Sequence, residues 1–193
     1  YLYQDLEPYI DTHTMGLHYN KHAKKYLNTL NQLLLENNFD FSLSLVELAQ
    51  NIDLYSWNNK DEIIFNLGGV INHNLYFHCM NKKKIEVTGE LKNDLIKKYG
   101  SIDEFIKEFI TVSMRLKGSG YTFLELTPSG LEITNYKNQD SPIFSLNVPL
   151  FTIDLWEHAY YINYNYDKRK YLENFFEIAD FSVANHLYER IKR

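Results

Sequence analysis

The sequence predicts an α+β fold: an N-terminal long helical hairpin, followed by an α/β domain with a small antiparallel sheet of about three strands. Three observations carry that expectation. Two long helical patterns come first and read as an antiparallel hairpin. Beyond a polar stretch from Asn81 to Gly89 the pattern changes, and two segments joined by Pro128-Ser129-Gly130 give a β-hairpin signal. The apolar run Val148-Pro149-Leu150-Phe151-Thr152-Ile153 then reads as a buried strand. The expected division is 1–82 for the helical hairpin domain and 83–193 for the α/β domain.

In chain order, a short extended piece is expected through Glu7-Pro8. A helix from about Thr12 to Asn37 follows, with Asp11 or Thr12 as its N-cap. Leu27, Leu30 and Leu34 form its apolar stripe, and His18, His22 and Tyr26, four apart, stack beside it on one face. One such histidine is most often a satisfied core residue; two with a tyrosine on the same edge suggest a polar seam facing something polar. A short helix is expected from about Leu45 to Ile52, capped by Ser42 or Ser44. The second long helix, about Asp61 to Met80, carries Ile63, Ile64, Leu67, Val70, Ile71 and Phe77 on a broad apolar face, with His73 within it. Gly68-Gly69 in its middle costs about 1 kcal/mol per glycine relative to alanine, so a packing or functional reason is expected. Past the linker, helices are expected from about Glu90 to Tyr99 and from Ser101 to Leu116, the latter opened by the capping box Ser101-Ile102-Asp103-Glu104. Tyr121 to Thr127 and Leu131 to Tyr136 are the hairpin strands, and Asn138-Gln139-Asp140-Ser141-Pro142 is a turn-rich loop. Amphipathic helices from about Lys168 to Ile178 and from Ser182 to Arg193 finish the chain.

Composition excludes several classes. A chain of 193 residues, 45% hydrophobic, can bury one core or two halves sharing one. A formal net charge of -5 argues against a general nucleic-acid binder. No apolar run approaches the roughly 18 residues of a membrane span, so neither nucleic acid nor membrane is an expected partner. The lone Cys79 cannot form an internal disulfide, which suits a reducing compartment, and core packing is its expected role. Nothing at the start resembles a signal peptide. A cytoplasmic location is expected, with an exported or organellar one as the alternative because the sequence begins at Tyr1 rather than at a methionine.

The chemistry concentrates in Asp154-Leu155-Trp156-Glu157-His158-Ala159-Tyr160-Tyr161. An isolated Asp/His pair four apart is more often a surface helical pair. Here an apolar strand precedes the acid, Trp156 lies beside it and two tyrosines follow. A carboxylate buried there costs several kcal/mol unless it is paired or bound to a metal. His18, His73, Asp154 and His158 together supply three imidazole nitrogens and one carboxylate oxygen, a set that suits Mn, Fe or Zn. No thiolate and no HExxH signature accompany them, which disfavours structural or hydrolytic zinc and favours a redox-active ion.

The same residues carry a family resemblance. Leu6-Glu7-Pro8 with Met15-Gly16-Leu17-His18-Tyr19-Asn20-Lys21-His22, then Asn72-His73, Gly118-Ser119-Gly120, the Gln139 loop and the Asp154 stretch resemble the motifs of iron/manganese superoxide dismutases, over nearly the whole length. The resemblance implies that His18, His73, Asp154 and His158 hold one ion per subunit, with a solvent molecule as fifth ligand. It gives Gln139 and Tyr26 the outer shell around that solvent and keeps Trp156 as a pocket ring. His22 would control the mouth together with Tyr161 of the partner subunit, and Glu157 would cross a two-fold axis to the partner subunit's His158. A homodimer follows, with paired dimers as the larger alternative. The implied reaction is antioxidant: superoxide anion is converted to oxygen and hydrogen peroxide in two half-reactions at one metal. Glutamine in the sheet loop, with Gly69 at the alternative helix position, is the manganese-type pattern; iron is the alternative, and the glycine would leave room for the amide. Phe77, Tyr121 and Phe123 stand where the family usually has tryptophans, which implies a looser, wetter pocket. Tyr166-Asp167-Lys168 replaces an Asn-Arg-Arg stretch, leaving anion steering to Lys168 with Lys21. Two other readings compete: a metal-binding structural or surface protein of the same fold with weak activity, and a zinc hydrolase, for which no spare general base is at hand.

Overall fold

The computed structural model describes residues 1–39 and 41–192. Its start is not extended as expected: Tyr3–Leu6 forms a 3-10 turn that drives Leu6 into the core. The first long helix begins at Thr12 because the Asp11 carboxylate accepts the Thr14 N–H at 2.7 Å. That helix is not uniform. α1 (Thr12–Leu17) runs into a π-helical turn, His18–Ala23, and continues as α2 (Lys24–Glu36). A π turn widens the hydrogen-bond ladder and re-aims the side chains around it, so His18, His22 and Tyr26 do not form the even stripe their spacing predicts. His18 is fully buried, whereas His22 and Tyr26 are half-buried. The buried stripe of α2 is Leu30, Leu33 and Leu34; Leu27 is 42% exposed and lines a cleft with Tyr19, Val70 and Phe77.

α3 (Leu45–Gln50) starts at Ser44, whose hydroxyl and Glu47 cap each other reciprocally. α4 (Lys60–His78) lies along α2 and forms the hairpin. Leu34, Leu48, Ile63 and Leu67 seal the space between them. The stretch from Asn81 is less free than its composition suggested. The Asn81 N–H donates to the Ile178 carbonyl at 2.8 Å and the Ile85 N–H to the Ala179 carbonyl at 2.9 Å.

α5 (Gly89–Tyr99) and α6 (Ile102–Arg115) precede the sheet, and the Ser101 hydroxyl accepts the Glu104 N–H at 3.0 Å to start α6. β1 (Gly120–Thr127), β2 (Gly130–Lys137) and β3 (Val148–Asp154) form the antiparallel sheet in the order β2-β1-β3. Tyr121 pairs with Tyr136 on one side and with Asp154 on the other, and the β1–β3 register shifts between Leu124 and Glu125. α7 (Tyr161–Tyr164), α8 (Lys168–Phe175) and α9 (Ser182–Lys192) complete the described chain, and Arg193 of the expected last helix lies outside the described residues. Phe105, Phe109, Phe151 and Phe181 fill the centre of this half, with Phe151 stacked on Phe181 at 4.3 Å. Burial of each such ring contributes about 2–3 kcal/mol. This aromatic core fixes β3, and with it the position of Asp154. Among the described residues no helix is long and apolar enough to cross a membrane.

Candidate metal centre

The π turn contributes His18, α4 contributes His73, the last residue of β3 is Asp154, and a 3-10 turn, Glu157–Ala159, contributes His158. Asp154 and His73 are each aimed by a second contact. The Oδ1 of Asp154 accepts the Trp156 N–H at 2.8 Å, which leaves Oδ2 to point inward. The Asp154 carbonyl accepts the Tyr171 hydroxyl at 3.0 Å. His73 Nδ1 donates to the Gly69 carbonyl one turn back at 2.6 Å, which turns Nε2 toward the carboxylate.

From Asp154 Oδ2, the Nε2 atoms of His18, His158 and His73 lie at 3.2, 3.6 and 3.9 Å, and one donor atom from each of the four residues lies within 4.8 Å of every other. Two bonds of about 2.1 Å opened by about 90–180° span roughly 3.0–4.2 Å, so the three distances from the carboxylate fit one ion. The three Nε2 atoms and Asp154 Oδ2 have no hydrogen-bond partner among the described residues. Buried polar atoms are rarely left so, and a shared cation accounts for all four together.

Electrostatics prepares the same atoms. Burial pushes the His18 imidazole below its ordinary value and pushes His73 down to about 4. Both rings are therefore neutral at neutral pH, and their approach to Asp154 is not that of ion pairs. Burial alone would raise the Asp154 carboxyl, but the side chains of His158 and His18 outweigh it and hold the acid well below the usual range. Neutral imidazole and ionised carboxylate are the forms that bind metal.

Around the donors, Gln139 is buried and its Nε2 donates to the Tyr26 hydroxyl at 3.0 Å, while its Oε1 has no partner among the described residues. The loop that bears it is held by Asn72, whose Nδ2 donates to the Gln139 and Asp140 carbonyls at 3.2 and 3.1 Å. Trp156 Nε1 donates to the Asn138 carbonyl at 3.1 Å. The two helix glycines divide the work differently from the expectation. A Cβ at Gly69 would meet the Tyr26 ring at 2.5 Å, and one at Gly68 would meet the Gln139 carbonyl at 2.0 Å. Gly69 thus makes room for the tyrosine, and Gly68 for the backbone of the loop.

His22 stacks on His158 with centroids 3.9 Å apart, and it borders a surface hollow of about 480 Å³ with Lys25, Tyr26, Asp61, Glu62 and Phe65. Burial, with His158 and His73 nearby, pushes its imidazole down to about 4. Phe77 packs edge-on to His18 at 5.2 Å. Tyr121 and Phe123 are fully buried, so the exchange of tryptophan for smaller rings does not open these two positions to water. Instead Tyr121 brings a hydroxyl to 3.3 Å from His73 Nδ1.

Glu157 is exposed in the single chain, and Tyr161 is 48% exposed. Lys168 donates to the Leu116 carbonyl at 3.2 Å, and burial lowers its pKa, whereas Lys21 is exposed. Sequence reasoning missed Tyr76 and Tyr171. The Tyr76 ring packs 5.1 Å from His18 and its hydroxyl meets that of Tyr171 at 3.0 Å, behind the carboxylate. Tyrosines on apolar faces read as core, and no spacing rule links residues so far apart.

Comparison with known families gives two matches. Residues 1–81 match the alpha-hairpin domain of iron/manganese superoxide dismutases, and residues 87–187 match their C-terminal domain.

Proposed function

The chain belongs to the iron/manganese superoxide dismutase family, and from that premise we propose that it converts superoxide to oxygen and hydrogen peroxide at one manganese ion per subunit. His18, His73, Asp154 and His158 are its ligands in this reading. When bound, the ion supplies a one-electron couple that accepts an electron from one superoxide and returns it to the next. The chain supplies charge balance, protons and exclusion of water. Asp154 is the one formal charge in the donor set, so the ion's positive charge is only partly cancelled and an anionic substrate is still drawn inward.

Formation of hydrogen peroxide consumes protons, and in this reading Tyr26 delivers them. Burial raises its pKa, so the phenol is protonated at neutral pH. Its oxygen accepts from Gln139 Nε2, which leaves the phenolic hydrogen free for a small molecule in the hollow beside His22. The buried, unpartnered Gln139 Oε1 would accept a hydrogen bond donated by a solvent ligand. Phe77 packs on His18 and His73, and Tyr121 on His73, closing the sides of the donor cluster.

The observation that carries this reading is the Gln139–Tyr26 hydrogen bond beside four unpartnered donor atoms. A merely structural ion has no need of a buried amide and phenol next to its open side. Manganese is favoured by the origin of that amide in the sheet loop. A homodimer is favoured by Glu157, an exposed acid one residue from a ligand histidine, whose partner is then on a second subunit. Manganese and iron forms reconstituted at matched occupancy should both be assayed for superoxide dismutation. Higher activity with manganese is expected; an iron form at least as active would overturn the metal assignment, and two inactive forms would overturn the reaction.

A further inference from the structure

We propose that Glu125 is a positioning residue for Gln139, closing the loop that presents the amide. Glu125 lies in β1 and is 1% exposed. Its carboxylate oxygens both lie 3.2 Å from the Tyr136 hydroxyl, which donates to them, and Oε2 also accepts the Asn147 Nδ2–H at 2.8 Å. Tyr136 stands at the end of β2 and Asn147 just before β3. The two donors therefore flank the segment 137–146, which contains Gln139, and one carboxylate clasps both of its ends.

A bland reading is a buried acid that happens to be satisfied. A hydrophobic residue of similar volume would be no less stable there, and the acid is tolerable only while both donors stay in place. Its directly opposed cross-strand neighbour is another acid, Glu132, whose charge is engaged by Lys98 at 2.8 Å. Like charges opposite one another add cost, so the pair is not a stability device of the sheet. The clasp is also continuous with the metal centre. Tyr121, Phe123 and Glu125 share one face of β1 by strand alternation. The Tyr136 ring packs edge-on to Phe123 at 5.5 Å, and Tyr121 reaches His73. Asn72 and Trp156 hold the loop from the metal side, and Glu125 holds it from the far side.

The inference rests on the dismutase reading for its activity measurement alone. Glu125→Gln and Asn147→Ala, each in the native and the Gln139→Ala background, form the test. Asn147 is only half-buried, so its truncation keeps the test open if the Glu125 variant folds poorly. Amide exchange in residues 138–147 should accelerate in both variants. In the native background kcat should fall by about three- to tenfold and the visible absorption of the manganese-loaded protein should shift. In the Gln139→Ala background neither should change further. Equal losses in both backgrounds, or unchanged loop exchange, would overturn the proposal, since a general structural role acts regardless of Gln139. If the loaded native protein does not dismute superoxide, the reaction assignment fails, while exchange and absorption still decide the role of Glu125.

Discussion

Replacing Gly69 by alanine sets two opposite effects against each other at one atom. In an exposed helix the change would add about 1 kcal/mol of stability. Here the new Cβ would lie 2.5 Å from Tyr26 Cδ1 and 2.6 Å from Cγ, whereas ordinary contact begins at 3.4 Å, so the ring must move by 3.4 − 2.5 = 0.9 Å. A displacement of that size along the hydrogen bond would stretch the 3.0 Å Gln139–Tyr26 contact to 3.0 + 0.9 = 3.9 Å, beyond hydrogen-bonding range. Overpacking of this kind costs about 1–3 kcal/mol, and the lost hydrogen bond adds about 1 kcal/mol. The expected net change is a loss of roughly 1–3 kcal/mol together with a drop in turnover. Gly16 supplies the control, because a Cβ there meets nothing within 4 Å; Gly16→Ala should be neutral or stabilising by up to about 1 kcal/mol. Denaturant midpoints and dismutation rates of the two variants answer the question. A Gly69→Ala protein as stable as Gly16→Ala and fully active would show that Tyr26 is not held where the structure puts it.

Removing the carboxylate in Asp154→Ala should abolish stoichiometric metal binding, because it takes away the only charged donor; elemental analysis that finds a fully loaded variant would sink the ligand set. Glu157→Ala should weaken both self-association and metal retention, since an isologous contact is felt twice. Sedimentation showing a monomeric native protein, or a variant with unchanged dimer and metal content, would contradict that. For the metal-free protein, the folded pKa of His73 is about 4 against an ordinary 6.5, so below pH 6.5 the unfolded chain binds more protons and stability falls as pH falls. The stability is fully present above about pH 6.5 and is lost on the way to pH 4, by about 3 kcal/mol from this residue alone. Urea midpoints at pH 7.5 and pH 4.5 that coincide would refute the sign.

Local signals were the legible ones. Asp11, Ser44 and Ser101 mark helix starts because a cap is written within three residues of the turn it satisfies. The strands showed in turn residues and in one apolar run, and the four candidate ligands in residue type and flanks. What stayed hidden depends on hydrogen-bond geometry or on distant contacts. The π turn has no residue type of its own to announce it, so only the ladder reveals it. The reason for Gly69 needed the position of the Tyr26 ring, and the polar use of Tyr121 needed the fold of α4 against β1. Glu125 looked like one more charged residue in a strand, since its partner Asn147 comes from outside the hairpin.

The π turn also separates two design problems that a uniform helix would merge. Each residue added to a helix advances its angular phase by about 100°, so the widened turn at His18–Ala23 uncouples the azimuth of α1 from that of α2. At its first residue the turn is phased by the donor cluster, through His18; downstream the helix is phased by the hairpin core, through Leu30, Leu33 and Leu34. A strictly regular helix would impose a different angle between those two sets and could satisfy only one of them. The turn acts as a clutch, letting coordination geometry and hydrophobic packing be adjusted independently along a single rod.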